Sequence, residues 1–177
     1  MTLDQFIAAH NGQRLDFDGK FGAQCVDLID YYCRDVLGIP IIWANAIDWW
    51  GGDASFEGWT RNVWGDRNSK PPRGSIIVWG PNARAGTGIY GHIAIGVDPG
   101  EGLSFGSFDQ NYPTGSACHV QRHTFDGVIG WGIRLAPPPP PDPCAQVKAD
   151  LAAAQQIVHG QDAKLASYAA WIATRPQ

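Results

Sequence analysis

Apolar residues follow two rhythms along this chain: helical spacing over its first fifty residues, then short apolar runs between residues 75 and 134. Leu3, Phe6, Ile7 and His10 share one helical face behind Thr2, and Gln5 stands at the third helical position. This predicts a short capped helix over residues 2–10 that Asn11-Gly12 ends. From Val26 the apolar positions Leu28, Ile29, Tyr32, Cys33, Val36 and Leu37 predict a second helix over 25–37, stopped by Gly38 and Pro40. Three tryptophans in Trp43-Ala-Asn-Ala-Ile-Asp-Trp-Trp50 mark a third, short helix before Gly51-Gly52. A polar connection follows. Lys70-Pro-Pro-Arg-Gly74 is a turn that launches a strand from Ser75 to Trp79, and His92 opens a second apolar run. Asp98-Pro-Gly-Glu-Gly102 is a hairpin signal, strand Leu103 to Phe108 comes next, and the runs 118–125 and 128–134 complete the set. Helices first and a meander of about five strands after them define an α+β domain with a small antiparallel sheet.

At Ala136 the pattern stops. Six prolines in Pro137–Pro143 enforce a polyproline II rod, so residues 136–143 are expected to be a semi-rigid linker. Beyond it, Cys144, Val147, Leu151, Ala154, Val158, Gln161, Leu165, Tyr168 and Ile172 alternate spacings of three and four, a heptad seam interrupted by Gln161. Residues 144–177 are therefore expected to form a C-terminal helix that associates through 144–174 into a homo-oligomer. The competing reading is a lone amphipathic helix.

Composition narrows the function. With 17 acidic residues against 13 Lys and Arg, and no basic cluster, the chain lacks the face a nucleic-acid partner requires. The N-terminal residues have neither the basic start nor the apolar core of a signal peptide, and no stretch reaches ~18 apolar residues, so no membrane span is expected. The expectation is synthesis in the cytosol, with four free thiols and no structural disulfide.

Candidate chemistry concentrates in Asp16-Phe-Asp-Gly-Lys-Phe-Gly-Ala-Gln-Cys25-Val-Asp27. Cys25 falls at the start of the second helix, where unpaired amides and the macrodipole favour a thiolate. Cys33, mid-helix on the apolar stripe, is expected to be core. A cysteine nucleophile needs an imidazole and a group to orient it. His92, after Gly91 at the head of a strand, is the candidate base; Asp109 or Asn111, two apart in Asp109-Gln-Asn111, is the candidate orienting group. Cys118, His119 and His123 invite a zinc reading, but Cys118 and His119 face opposite sides of a strand and do not converge. His10, His119, His123 and His159 are expected to be surface or satisfied core residues.

Five pieces in this order, Gly22-Ala-Gln-Cys25-Val-Asp27, Trp43-Ala-Asn45-Ala-Ile-Asp-Trp49, Pro72-Arg-Gly74-Ser-Ile-Ile-Val-Trp79, Gly91-His92-Ile-Ala-Ile and Asp109-Gln-Asn111-Tyr, resemble the CHAP family. These are cysteine, histidine-dependent amidohydrolases and peptidases of phage endolysins and bacterial wall hydrolases, with a papain-like fold. The resemblance covers residues 1–135 and departs from many relatives in carrying Asp109 where they have Glu. It implies a phage peptidoglycan hydrolase that cuts a wall amide, as N-acetylmuramoyl-L-alanine amidase or endopeptidase, with bacterial peptidoglycan as partner and the cell wall as place of action. By analogy with papain-like enzymes it implies an oxyanion held by the Cys25 amide and the Gln24 side chain. Two rivals stand beside it, a virion-associated lysin and a non-catalytic assembly or binding protein that keeps the fold.

A metal is also expected. Counting Asp16 as position 1, Asp18, Lys20, Gly22 and Asp27 fall at 3, 5, 7 and 12, the offsets at which an EF-hand loop offers oxygens to calcium. Lys20 and Gly22 offer only backbone carbonyls, and glycine stands at 4 rather than 6. Calcium sites before the catalytic Cys of several CHAP endolysins resemble this arrangement, which implies a structural calcium held by Asp16, Asp18, Lys20, Gly22 and Asp27.

Overall fold

The computed structural model describes residues 1–51, 59–63, 70–82 and 87–134, together with the single helical positions Gln155 and Ala166. The chain divides into two compact units, Met1–Leu135 and Ala136–Gln177. The proline-rich linker and every position of the heptad seam lie outside the described residues. No helix among the described residues is long and apolar enough to cross a membrane.

Helix α1 (Leu3–His10) begins with the expected box, in which Gln5 N donates to Thr2 Oγ1 at 3.2 Å and Thr2 N donates to Gln5 Oε1 at 2.9 Å. Helix α2 (Cys25–Tyr32) follows the acidic loop and continues as a π-helical turn, Cys33–Leu37. The α-helix is thus shorter than its apolar stripe predicts. Both Gly38 N and Ile39 N donate to the Cys33 carbonyl, which widens the last turn before Gly38 turns left-handed at φ 60. Helix α3 (Asp48–Gly51) is the short third helix.

Among the described residues six strands form one antiparallel sheet: β1 (Trp59–Val63), β2 (Ile76–Trp79), β3 (His92–Asp98), β4 (Ser104–Asp109), β5 (His119–Thr124) and β6 (Val128–Arg134). Their order is β1-β6-β2-β3-β4-β5. Strands β2 to β5 are the expected meander, but β6 crosses back to pair with β2, and β1 adds an edge inside the segment read as a polar connection. The sequence of β1, Trp59-Thr-Arg-Asn-Val63, has apolar residues only at the two ends, which leaves no alternation to read.

Period two divides the core. Ile76, Val78, Ile93, Ile95 and Phe108 join Phe6, Leu28, Ile29, Tyr32, Cys33 and Trp49 in one cluster beneath the helices. Ile77, Trp79, Ala94 and Phe105 join Phe125, Val128 and Trp131 in a second on the opposite face. Because both faces are covered, β2 is buried at every position and its sequence is continuously apolar.

Candidate active site

The site forms where the start of α2 meets the facing ends of β3 and β4. Cys25 is the first residue of α2, half-buried, with its helix end braced by Asp27, whose Oδ2 accepts from Gln24 N at 2.6 Å. His92 opens β3 opposite Trp79. Gly91 before it has φ 74, and a Cβ there would come within 2.5 Å of the Trp79 carbonyl, so glycine is what lets the imidazole register at this point.

Asp109, at the end of β4, is fully buried and accepts from His92 Nε2 at 2.6 Å. The other ring nitrogen is left for the thiol, with which His92 interacts. Burial alone would lower the imidazole's affinity for a proton. The hydrogen bonds to Asp109 and to Cys25 outweigh it and raise His92 to about 9. For Asp109 burial acts upward, but bonds from His123 and His92 hold the carboxyl well below the usual carboxylate range. The arrangement is a buried carboxylate, a protonatable imidazole and a thiol in series, which is what nucleophilic acyl transfer requires.

Asn111 is not the group on His92. The strand ends at Asp109, and Asn111 turns left-handed at φ 61, so the alternation that would place both on one face stops between them. Its Nδ2 donates to Gln24 Oε1 at 3.2 Å, and its Oδ1 accepts from Gly115 N at 2.6 Å. Gln24 in turn donates through Nε2 to the Phe21 carbonyl at 2.9 Å. Both ends of the Gln24 carboxamide thus brace the loop, and Nε2 carries a second hydrogen beyond the one given to Phe21. Arg14, Phe21, Gln24, Asn111, Thr114 and Gly115 line a groove of ≈ 380 Å³ beside this bracing. Of the tryptophans in 43–50, Trp49 is core, while Trp43 is 68 % exposed and packs edge-on against Phe17 of the acidic loop.

Three residues, Gln110, Ser107 and His123, join the site without an expected role there. Gln110 is fully buried and joins β4 to both ends of the acidic loop. Its Nε2 donates to Leu15 O at 2.7 Å and Gln24 O at 2.6 Å, while its Oε1 accepts from Leu15 N at 2.7 Å and Cys118 Sγ at 3.1 Å. Burial pushes the Cys118 thiol up to about 12, which keeps it a donor. Ser107 Oγ donates to Asp109 Oδ2, and His123 Nε2 lies 3.3 Å from the same oxygen. His123, expected to be an ordinary surface or core histidine, is instead brought to the site by the β4–β5 register. His119, the cross-strand partner of Asp109, has its Nδ1 2.8 Å from the Ala117 carbonyl.

In the acidic loop, the carboxylates of Asp16, Asp18 and Asp27 each offer an oxygen within 4.8 Å of the others. Asp16 Oδ1 accepts from Gly19 N, Asp18 Oδ1 from Lys20 N, and Asp27 Oδ1 from Phe17 N, which folds the loop around the cluster. Each of these oxygens keeps a lone pair. Burial raises the Asp27 carboxyl; backbone bonds from Gln24 and Phe17 oppose this, and the charges of Asp18 and Asp16 add to it. Such a set of hard oxygen donors under mutual repulsion fits a calcium ion. Lys20 and Gly22, expected to contribute carbonyls, lie in the same loop.

The CHAP domain family model matches residues 15–111, a span that holds Cys25, His92, Asp109 and the acidic loop. The chain belongs to the CHAP domain family. Endolysin PlyTW of Staphylococcus phage Twort (strain DSM 17442 / HER 48) is 35% identical over 98 residues, 54% of this chain and 20% of that protein. The crystal structure of the wild-type endolysin LysIME-EF1 matches with TM-score 0.60 and 26% identity, over 75% of this chain and 64% of that one. The crystal structure of Ly7917 matches with TM-score 0.54 at 17% identity, over 77% and 63% of the two chains, and shares the fold. The CHAP chain therefore spans about a fifth of the curated relative it matches and under two thirds of these solved structures.

Proposed function

We propose that this CHAP chain is a phage-type peptidoglycan hydrolase that cuts an amide bond of the bacterial cell wall through a thioester on Cys25. The observation that carries the reading is the 2.6 Å contact of buried Asp109 with His92, which in turn interacts with Cys25. The Cys25 thiolate attacks the amide carbonyl, and its backbone N–H, at the open end of α2, stabilises the oxyanion. His92 gives its proton to the leaving amine, so the C–N bond breaks and the thioester remains. His92 then takes a proton from water, whose oxygen attacks the thioester, releasing the acid and restoring thiolate and imidazolium. The endolysin relatives support a wall substrate, and the same machinery serves the muramoyl-alanine bond and bonds within the peptide. A binding protein that merely keeps the fold has no use for a buried charged pair of this kind.

Asp16, Asp18 and Asp27, with the carbonyls of Lys20 and Gly22, would hold a calcium ion whose part is to neutralise the cluster and order the loop leading to Cys25. Homo-oligomerisation through 144–174 is a separate proposal, tested by sedimentation of the full chain against one ending at Ala136. The catalytic reading is tested by clearing of wall suspensions. Cys25→Ser and His92→Ala should each fold and lose essentially all lysis, and a folded Cys25→Ser protein that clears walls at the wild-type rate would overturn it.

A further inference from the structure

Asp109 is shared by two imidazoles. Its Oδ1 meets His92 Nε2 at 2.6 Å, and its Oδ2 meets His123 Nε2 at 3.3 Å and the Ser107 hydroxyl. His123 is 9 % exposed, close to the 3 % of His92, and its ring has the same walls. Trp79 lies 5.2 Å from His92 and 4.9 Å from His123 between ring centroids, and Tyr112 lies 5.1 Å and 5.2 Å from the two. Phe105, its cross-strand partner in β4, closes the remaining side at 5.9 Å. The mechanism above uses only the first imidazole.

A carboxylate on a single-methylene arm can rotate about its Cα–Cβ bond, and only one of its rotamers aims Oδ1 at His92. The contact to His92 by itself leaves the second oxygen without a partner in a fully buried site, where an unpaired charged oxygen is costly. Ser107 and His123 fill that need from two strands, one on β4 itself and one on β5. We propose that His123, together with Ser107, is a positioning residue: by donating to Oδ2 of Asp109 it locks the carboxylate in the rotamer that orients His92 toward Cys25. In this arrangement His123 donates through Nε2–H and takes no part in proton transfer.

The catalytic half of the test rests on the function proposed above; the other half does not. His123→Leu removes the donor and keeps the bulk, His123→Gln keeps an N–H at nearly the Nε2 position, and Ser107→Ala removes the other donor and leaves the aromatic walls intact. For each, two rates are measured at one neutral pH on protein shown folded by its melting curve: wall lysis across substrate concentration, and alkylation of Cys25 by iodoacetamide, which needs no wall. Val120→Thr, at an exposed position on the opposite side of β5, is the control and should match wild type in both.

His123→Leu is expected to lose about tenfold in maximal rate and a similar factor in alkylation, on the scale of one lost buried hydrogen bond, with the half-saturating wall concentration within twofold of wild type. His123→Gln should retain at least half of both rates, and Ser107→Ala should lose about fivefold. A folded His123→Leu protein alkylated at the wild-type rate overturns the assignment. So does a His123→Gln protein as impaired as the Leu variant, because that places the effect in ring packing. Should His123→Leu not fold, unchanged rates in Ser107→Ala overturn it. If the wild type fails to clear walls while the alkylation rates order as stated, the wall reading fails and the positioning role stands.

Discussion

Replacing Gln110 by Met tests how the nucleophile's loop is tied to the strand that carries Asp109. Gln110 and Met have similar volume, so no large cavity opens and the loss is one of hydrogen bonds. Four disappear, and three backbone groups, Leu15 N, Leu15 O and Gln24 O, are left without that partner, as is the Cys118 thiol. At about 1–3 kcal/mol for each buried group stranded, the backbone groups alone amount to roughly 3–9 kcal/mol. Gln24 O is only part-buried and water can reach it, which favours the lower end, about 3 kcal/mol. For the unit Met1–Leu135, at roughly 3–5 °C per kcal/mol, the melting temperature should fall by about 10–15 °C. The loss should also reach the site, because Gln24 immediately precedes Cys25 and Leu15 immediately precedes Asp16. Thermal and urea unfolding of wild type and Gln110→Met give the number. Gln110→Glu serves as a second arm. Its carboxylate faces two carbonyls, so this variant should be less stable than Gln110→Met at pH 8 and recover part of the difference as acid protonates it. A Gln110→Met protein melting within about 3 °C of wild type would show these bonds to be replaceable by water and refute the reasoning.

Two further predictions concern charge. Because His92 is raised from 6.5 to about 9, lysis should hold on the alkaline side until the imidazolium is lost near pH 9; the same shift stabilises the fold fully below 6.5 and fades as pH passes 9. Asp109→Asn removes the charge that opposes burial, so the alkaline limb should move toward acid, and a limb that stays in place would count against the Asp109–His92 pairing. Calcium added to chelator-stripped protein should raise its melting temperature, with about 2.7 kcal/mol gained at a hundred times the dissociation constant. Calorimetry should show that binding abolished by Asp16→Ala with Asp18→Ala; undiminished heat in the double variant would rule the loop out as the site.

Much of this architecture is visible in the residues themselves. The Thr2–Gln5 box, the apolar stripe behind Cys25 and the continuous run Ile76–Trp79 each encode a local geometry, and local geometry is what pattern reading recovers. The Cys25 and His92 assignments came from the same source, since a helix start and a strand start are both local features. What escaped was set by register between distant segments. That Asp109 and not Asn111 reaches His92 depends on where β4 stops pairing, and the left-handed turn at Asn111 has no glycine to announce it. His123 joins the site only through the pairing that sets it opposite Phe105. Gln110 reads as one polar residue between two others, and its role shows once Leu15 and Gln24 are brought to it from nearly a hundred residues away. Strand β1 was missed because an edge strand's bonding lies in its backbone.

Mass spectrometry of fragments released from cell walls of defined structure shows whether Cys25 cuts an amide. The expected fragments are ones in which one wall amide has become a free amine and a free carboxylate, with glycosidic bonds intact, and none of these should come from folded Cys25→Ser protein. Fragments cut at a glycosidic bond, or the same amide products from Cys25→Ser, would contradict an amide cut by Cys25.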